Sequence, residues 1–358
     1  MIASLKRFIP FRRRLYALRE RARHYASKLE AARDARAAAR EIRRFKAADP
    51  SRDVCGILLV EHLGDIIACE PVIRWVRAHY PASRVVWVVK PGYAPLLTAH
   101  PGVDAVITVR SLASVASIVR SGVLSMAIDL HVNNKPTGIP GVVHTKAWGN
   151  PQVDARSYLH EASLLGAFSK AAGIEELSGA AEMYLPAGTK TVVDRLDLPP
   201  RFVAVHTTSN DSARDWPISE WLELVTYVTS ECGLAMVEVG LAATLPADQP
   251  SVISLCGKLS VVETAEVIRR AGFFIGVDSG PAHMANVWRR PSLILLSRFH
   301  GHDWRPYEGF FAEHSNERLL RHPERLSTLP AARVIERLRH DDQWTQLVNQ
   351  GLSNTALE

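Results

Sequence analysis

No pair among the four cysteines has CxxC spacing, and Cys55, Cys69, Cys232 and Cys256 all fall in apolar strand- or helix-like stretches. That placement suits buried thiols in a reducing compartment, so a cytoplasmic protein is expected. Also absent is any apolar run of the roughly 18 residues that a membrane-spanning helix needs. The N-terminal stretch lacks the continuous apolar core of a signal peptide. There is no internal repeat, and the only low-complexity stretch is rich in Ala and Arg near the N-terminus. The 358 residues are 47% hydrophobic and 22% charged, an ordinary composition for a folded protein and long enough for two domains with separate cores.

The net charge of +6 is unevenly placed. Residues 1–50 hold 15 Lys/Arg against 5 Asp/Glu, a surplus of ten, so the remaining chain is acidic by four. Within this segment Leu15, Leu18, Ala22, Tyr25, Leu29 and Ala32 recur at spacings of three and four, which predicts a helix with one narrow apolar stripe among arginines. Such a helix can pack on its own protein or on a second copy. It can also lie on an anionic membrane surface, helped by Phe8, Ile9 and Phe11. Nucleic acid is not an expected partner, because nothing else in the chain resembles a recognition module.

From residue 53 short apolar runs alternate with helical patterns. Strands are expected at 55–60, 84–89, 104–109 and 125–132, with helices at 66–80, 91–99 and 111–121. The rhythm fades and then restarts, with strands at 202–208, 234–240, 251–257, 273–278 and 292–297 and helices near 218–231, 260–271 and 281–288. Two α/β halves with parallel sheets follow. The expected division is a basic helical extension at 1–50, a first Rossmann-like domain at 51–192, a second at 193–325 and a C-terminal helix and tail at 326–358. The proline- and turn-rich stretch 185–200 is read as the linker.

Parallel sheets bind ligands beyond the carboxyl ends of their strands. Three loops there carry polar groups. Gly64 and Asp65 follow the first strand and open a helix, where an aspartate serves as a helix cap or as a base. Thr207, Thr208 and Arg214 precede a helix entry containing Pro217. In "GVDSGPAHMANVW" (276–288), Asp278, Ser279 and Gly280 lie between a buried strand and a helix, where backbone N–H groups and the helix dipole favour a phosphate. Gly280 permits close approach, and His283 can donate to a phosphate oxygen or pack beneath the loop.

Taken in order, "HLGDIIACEPVIRWVRAHYP", "HTTSNDSARDWPISEW" and "LCGKLSVVETAEVIRRAGFFIGVDSGPAHMANVWRRPSLILL", followed by "WRPY", resemble the glycosyltransferase family 9 proteins, heptosyltransferase-like enzymes of bacterial surface polysaccharide synthesis. The resemblance covers roughly residues 54–310. It implies the GT-B fold, two facing Rossmann-like domains with the active site in the cleft. It also implies inverting transfer of a sugar, without a bound metal or other cofactor, from a nucleotide diphosphate donor such as ADP-heptose to a glycan or lipid-linked acceptor. By the same resemblance Asp65 matches the catalytic aspartate, and Asp278, Ser279, Gly280 and His283 match the donor-phosphate loop. Thr207 and Thr208 resemble the polar pair beside it, and Arg214 stands where a lysine is usual. An enzyme working on lipid-linked acceptors would sit at the inner face of the cytoplasmic membrane.

Two departures from the family pattern stand out. The loop before Gly64 reads Glu61-His62-Leu63 and lacks the family's basic residue. No acidic residue closely follows Gly240, where relatives hold the ribose, and Asp248 is a remote substitute. A nucleotide-sugar-binding scaffold and an epimerase-like GT-B enzyme are the alternative readings.

Overall fold

The computed structural model describes residues 2–355 except 147–148, 162, 247–248, 250, 299–300 and 304; side chains are described between residues 16 and 350, apart from residue 17. Asp248, Trp304 and the side chains of Phe8, Ile9, Phe11 and Leu15 therefore lie outside the described residues.

Helix α1 (Ile2–Ala47) leads into β1 (Val54–Leu58), the short α2 (Leu63–Ala68) and α3 (Pro71–His79). The strands β2 (Arg84–Val89), β3 (Ala105–Thr108) and β4 (Met126–Asp129) complete a parallel sheet of order β3-β2-β1-β4. An antiparallel hairpin, β5 (Lys135–Pro136) with β6 (Val143–His144), follows. The second half holds β7 (Phe202–His206), β8 (Ala235–Glu238), β9 (Val252–Ser254), β10 (Phe273–Val277), β11 (Ser292–Ser297) and β12 (Leu319–His322), all parallel, in the order β12-β11-β10-β7-β8-β9. The strand cores are apolar runs with both faces covered, as parallel sheets require; β1, β2 and β10 are buried along their whole length.

All nine expected strands are present. The hairpin and β12 were not expected, since neither two-residue arm alternates and "LLRH" is too short to signal. The expected helix at 66–80 is two helices, because Pro71 starts a new one at its N-terminal turn. The stretch read as a linker contains the helix Thr189–Val193, whose Val193 is fully buried with the core of the second sheet, and the expected division at 192–193 falls inside it. Beyond residue 326, two helices, Ala331–Arg339 and Asp342–Thr355, cover the second sheet, with Trp344 and Leu347 in its core. Cys55 and Cys69 are buried, whereas Cys232 and Cys256 are only half-buried; all four are free thiols.

Helix α1 changes character along its length. Ala31, Ala35, Ala38, Ala39 and Ile42 are buried, and most of them join Val54, Leu58, Val86 and Val115 in one cluster. The stripe singled out in the sequence lies elsewhere. Leu18, Tyr25 and Leu29 are 61%, 66% and 59% exposed, so the packed face is a second set of small residues roughly a third of a turn away.

Candidate active site

The loops that follow β1, β7 and β10 meet at one place. α2 packs against the helix Gly280–Val287 so closely that a Cβ on Gly64 would come within 2.8 Å of the His283 ring, and one on Gly280 within 2.6 Å of the Leu63 side chain. Both glycines are therefore required by contact across the cleft. Gly280, expected from the sequence to permit ligand approach, is also needed for this contact.

Asp65 sits in the first turn of α2. Its Oδ2 accepts the His62 backbone N–H at 3.0 Å, a capping contact from inside the helix, and Oδ1 accepts no hydrogen bond among the described residues. Burial raises its pKa to about 6, and the neighbouring Glu61 carboxylate pushes the same way; Lys135 and the His62 N–H pull it back in part. Glu61 is itself buried. Burial opposes its charge, but Lys135, 2.8 Å away, together with His131 and His62, holds its pKa below the usual carboxylate range. The basic residue missing from the loop before Gly64 is thus supplied in space by Lys135 of the hairpin.

Behind this loop the Val60 N–H donates to His131 Nε2 at 2.8 Å. That bond fixes the proton on Nδ1, which faces Asp129 Oδ1 at 2.6 Å, while His144 Nε2 lies 2.7 Å from Oδ2. Among the described residues, Asp129, His131 and His144 have the spacing of a metal-binding group. The tautomer set by Val60, however, makes His131 Nδ1 a proton donor and removes the lone pair a metal would need. The trio reads as a hydrogen-bonded brace that fixes the end of β1. Burial opposes the Asp129 charge, but His131 and His144 outweigh it and hold the carboxyl far below its usual range.

Across the cleft, Arg214 and Asp278 form a buried ion pair at 2.7 Å. Arg214 also donates to Asn210. The second oxygen of Asp278 accepts from the Tyr307 hydroxyl at 2.8 Å. Asp278 therefore caps nothing; it orients a cation. Ser279 is the N-cap residue of the following helix yet makes no cap bond, since its hydroxyl donates to the Val277 carbonyl at 3.0 Å. Among the described residues, the first N–H groups of that helix have no side-chain acceptor. His283 is buried against Tyr307, with ring centroids 4.6 Å apart, and burial lowers its pKa to about 4, so the ring is neutral at neutral pH.

Gly64, Asp65, Arg214, Asp278, Ser279, Gly280 and His283 thus share one cleft. Tyr158, whose pKa burial raises, feels the charges of Lys135, Asp65, Glu61 and Arg214 together, which places the two sides within electrostatic reach. Thr207 is buried and turned away, donating to Glu238 Oε1 at 3.3 Å, while Thr208 is half-buried beside it. Glu238, fully buried at the end of β8, also accepts from the Thr244 and Leu245 N–H groups and from Ser254. Glu238, two positions before Gly240, is thus engaged in holding its own loop.

Comparison with known proteins agrees with this geometry. Residues 103–318 match the family model described as glycosyltransferase family 9 (heptosyltransferase). The chain is 21% identical over 320 residues to lipopolysaccharide heptosyltransferase 3 of Escherichia coli (strain K12), covering 76% of this chain and 93% of that one. Its fold is similar to that of a glycosyl transferase family 9 protein from Veillonella parvula, with TM-score 0.58, 15% identity, and 83% and 97% of the two chains covered. It is also similar to E. coli ADP-heptose LPS heptosyltransferase II, with TM-score 0.57, 17% identity, and 84% and 99% covered. Two facing Rossmann-like halves closed around an aspartate and a cation-backed helix N-terminus, together with a match over more than half its length, establish that this chain belongs to glycosyltransferase family 9 and is a glycosyltransferase of GT-B fold.

Proposed function

We propose that the protein transfers a sugar, with inversion and without a metal ion, from a nucleotide diphosphate donor to a bacterial surface glycan, with Asp65 as the base. ADP-heptose is the leading donor, because a fold neighbour is named for it, and lipopolysaccharide is the leading acceptor, because the curated relative is named for it. The observation that carries the reading is the pairing of Asp65, whose pKa burial raises to about 6, with an anion-ready helix N-terminus in contact with its own helix. An inverting transfer needs a carboxylate to take the acceptor proton as the oxocarbenium-like centre forms. The departing nucleoside diphosphate gathers negative charge, which the N–H groups of Gly280 and Ala282 and the Arg214 guanidinium oppose from fixed positions. Asp278 and Tyr307 keep that guanidinium in place, and neutral His283 fills the space beneath.

The test is a thermal-shift screen against ADP-, GDP-, UDP- and dTDP-sugars, followed by transfer assays in the presence of a chelator and NMR assignment of the product anomer. A retained anomer, or activity abolished by the chelator and restored by a divalent cation, overturns the mechanism.

The same reading assigns the bare part of α1 to the anionic leaflet that holds lipid-linked acceptors. Leu18, Tyr25 and Leu29 offer an exposed apolar stripe inside a segment with a surplus of ten positive charges. Each basic residue near such a surface contributes about 1 kcal/mol. The chain should co-sediment with anionic vesicles at low salt and release at high salt. Since Ala31–Ile42 is core, the informative truncation removes residues 1–23; equal vesicle binding by that shortened chain rules the assignment out.

A further inference from the structure

The chain passes from the first half to the second through residues 173–188, which form neither helix nor strand. Midway, residues 179–182 are anchored to both halves at once. The anchor on the first half is Glu70, five residues after Asp65, at the junction where α2 ends and α3 begins. Its side chain is 4% exposed. Oε2 accepts the Glu182 backbone N–H at 2.7 Å and an Arg74 N–H at 3.0 Å, and Oε1 accepts from His100 Nε2 at 3.0 Å. The Gly102 N–H donates to His100 Nδ1 at 3.0 Å, which leaves the imidazole proton on Nε2, facing Glu70. Arg74 reaches on to the Ala180 carbonyl at 2.6 Å and to the Glu182 carboxylate at 2.9 Å.

The anchor on the second half is Glu308. The Gly179 N–H donates to Glu308 Oε2 at 3.3 Å, and a Cβ on Gly309 would lie 2.8 Å from that of Ala180. The Glu308 carbonyl accepts from Asn286 Nδ2 at 2.8 Å, and Asn286 Oδ1 accepts the Phe311 N–H at 2.8 Å. Asn286 belongs to the helix Gly280–Val287, whose N-terminus is the anion site. Between α2, residues 179–181 and that helix the free space is about 10 Å³, lined by Ile67, Ala68, Ala181, His283 and Asn286 among others. That is room for one water, so the three parts have little slack.

A buried carboxylate is costly unless its oxygens are paired. An apolar side chain would fill the same junction between two helices. Donors from α3, from the turn at His100 and from the crossing chain give Glu70 a direction that apolar packing lacks. We infer that Glu70 is a positioning residue for the transfer reaction: with Glu308 at the other end, it holds residues 179–182 as a strap of fixed length between the helix of the base and the helix that receives the donor phosphates. The inference rests on the reading of Asp65 as the base. The strap touches no reacting atom. It sets the reach from Asp65 to the anion site, and its two anchors act in series, so releasing either one releases the spacing.

The experiment compares the full chain with Glu70→Gln, Arg74→Ala, Glu308→Ala and the Arg74→Ala/Glu308→Ala double variant. It measures transfer from ADP-heptose to lipopolysaccharide, ADP affinity by calorimetry, and amide exchange at residues 179–182. Glu70→Gln keeps the size of the side chain and one acceptor oxygen, which cannot serve all three donors. Each single variant lowers kcat by about tenfold or more, because a misplacement of about 1 Å costs up to about 100-fold. ADP affinity and the donor KM stay unchanged, and the strap amides exchange faster. The double variant loses no more than the worse single one, the non-additivity of two anchors on one element. Should Glu70→Gln fail to fold, Arg74→Ala carries the test, since that side chain is 40% exposed. An unchanged kcat in the folded variants, losses that multiply in the double variant, or a loss of kcat matched by weaker ADP binding overturns the proposal. Strap amides that exchange as fast in the parent as in Glu70→Gln overturn the anchoring itself, with no substrate needed. Transfer retained by Asp65→Asn removes the catalytic reading and this inference together; transfer abolished there but intact in Glu70→Gln and Arg74→Ala removes the strap alone.

Discussion

The two sides of the cleft treat charge in opposite ways. On the second half, Arg214, Asp278 and Tyr307 satisfy one another, and the buried pair is a finished structure awaiting an anion. On the first, Asp65 and Glu61 are neighbouring carboxylates, the close ammonium of Lys135 is paired with Glu61, and the surplus negative charge falls on Asp65. A group that binds should be rigid and neutralised in advance, whereas a group that exchanges a proton must keep both of its states within reach. Of these two sides, the unrelieved charge lies on the one that holds the proposed base.

Breaking the satisfied side has the largest expected effect. Asp278→Ala removes the carboxylate that holds the partly buried Arg214 guanidinium, which keeps its bond to Asn210, and should cost about 2 kcal/mol or more of stability, measured by denaturant unfolding, along with ADP affinity. On the strained side the fold should be indifferent and the chemistry should not. Asp65→Asn is expected to lower transfer by at least about 100-fold with ADP binding retained. Its stability has a sign that separates the two sides further. A carboxyl whose pKa rises from 3.8 to about 6 on folding contributes stability below pH 3.8 that is lost as pH climbs through 6, so Asp65→Asn should be more stable than the parent at pH 8 and not at pH 4. A smaller shift is expected from Glu61→Gln, which removes a charge that raises the Asp65 pKa and frees Lys135 to lower it. The acid limb of kcat/KM, near pH 6 in the parent, should move to lower pH, and an unmoved limb would show that Glu61 does not tune the base. Least of all, removal of residues 1–23 should leave the unfolding transition nearly unchanged, because among the described residues every buried side chain of α1 lies beyond that point.

The same contrast explains what the sequence could reveal. Strands such as "RVVWVV" and "FFIGV" are legible because burial on both faces demands unbroken apolar runs, and the Asp-Ser-Gly turn because few other structures need those residues between strand and helix. Interactions between distant segments leave no local pattern. Nothing near Glu61 announces Lys135, 74 positions on, and nothing in two-residue strands announces the hairpin that delivers it. The Arg214–Asp278 pair was visible only as two separate motifs, and its consequence, that Asp278 serves the cation, required the distance. Thr207 shows the same limit: its place beside the site in sequence does not reveal that its hydroxyl bonds Glu238, 31 positions on. In α1 the evident stripe was the exposed one, because alanines make a packing face that hydrophobic periodicity barely registers.

Helix α1 is a single unbroken element of 46 residues, buried toward one end, beside a cleft of the first domain in the middle, with Leu18, Tyr25 and Leu29 exposed before and within that part. Its bare stripe and its cleft-facing side are therefore locked at a fixed angle by the count of residues between them, like two marks on one shaft. Adding one residue between Leu18 and His24 turns Leu18 by about 100° out of line with Tyr25, Leu29 and the cleft, while seven restore it to within about 20° and displace it by about 10 Å. Whatever surface the stripe rests on, the enzyme meets it at one heading, and the mouth of the cleft points to a constant depth.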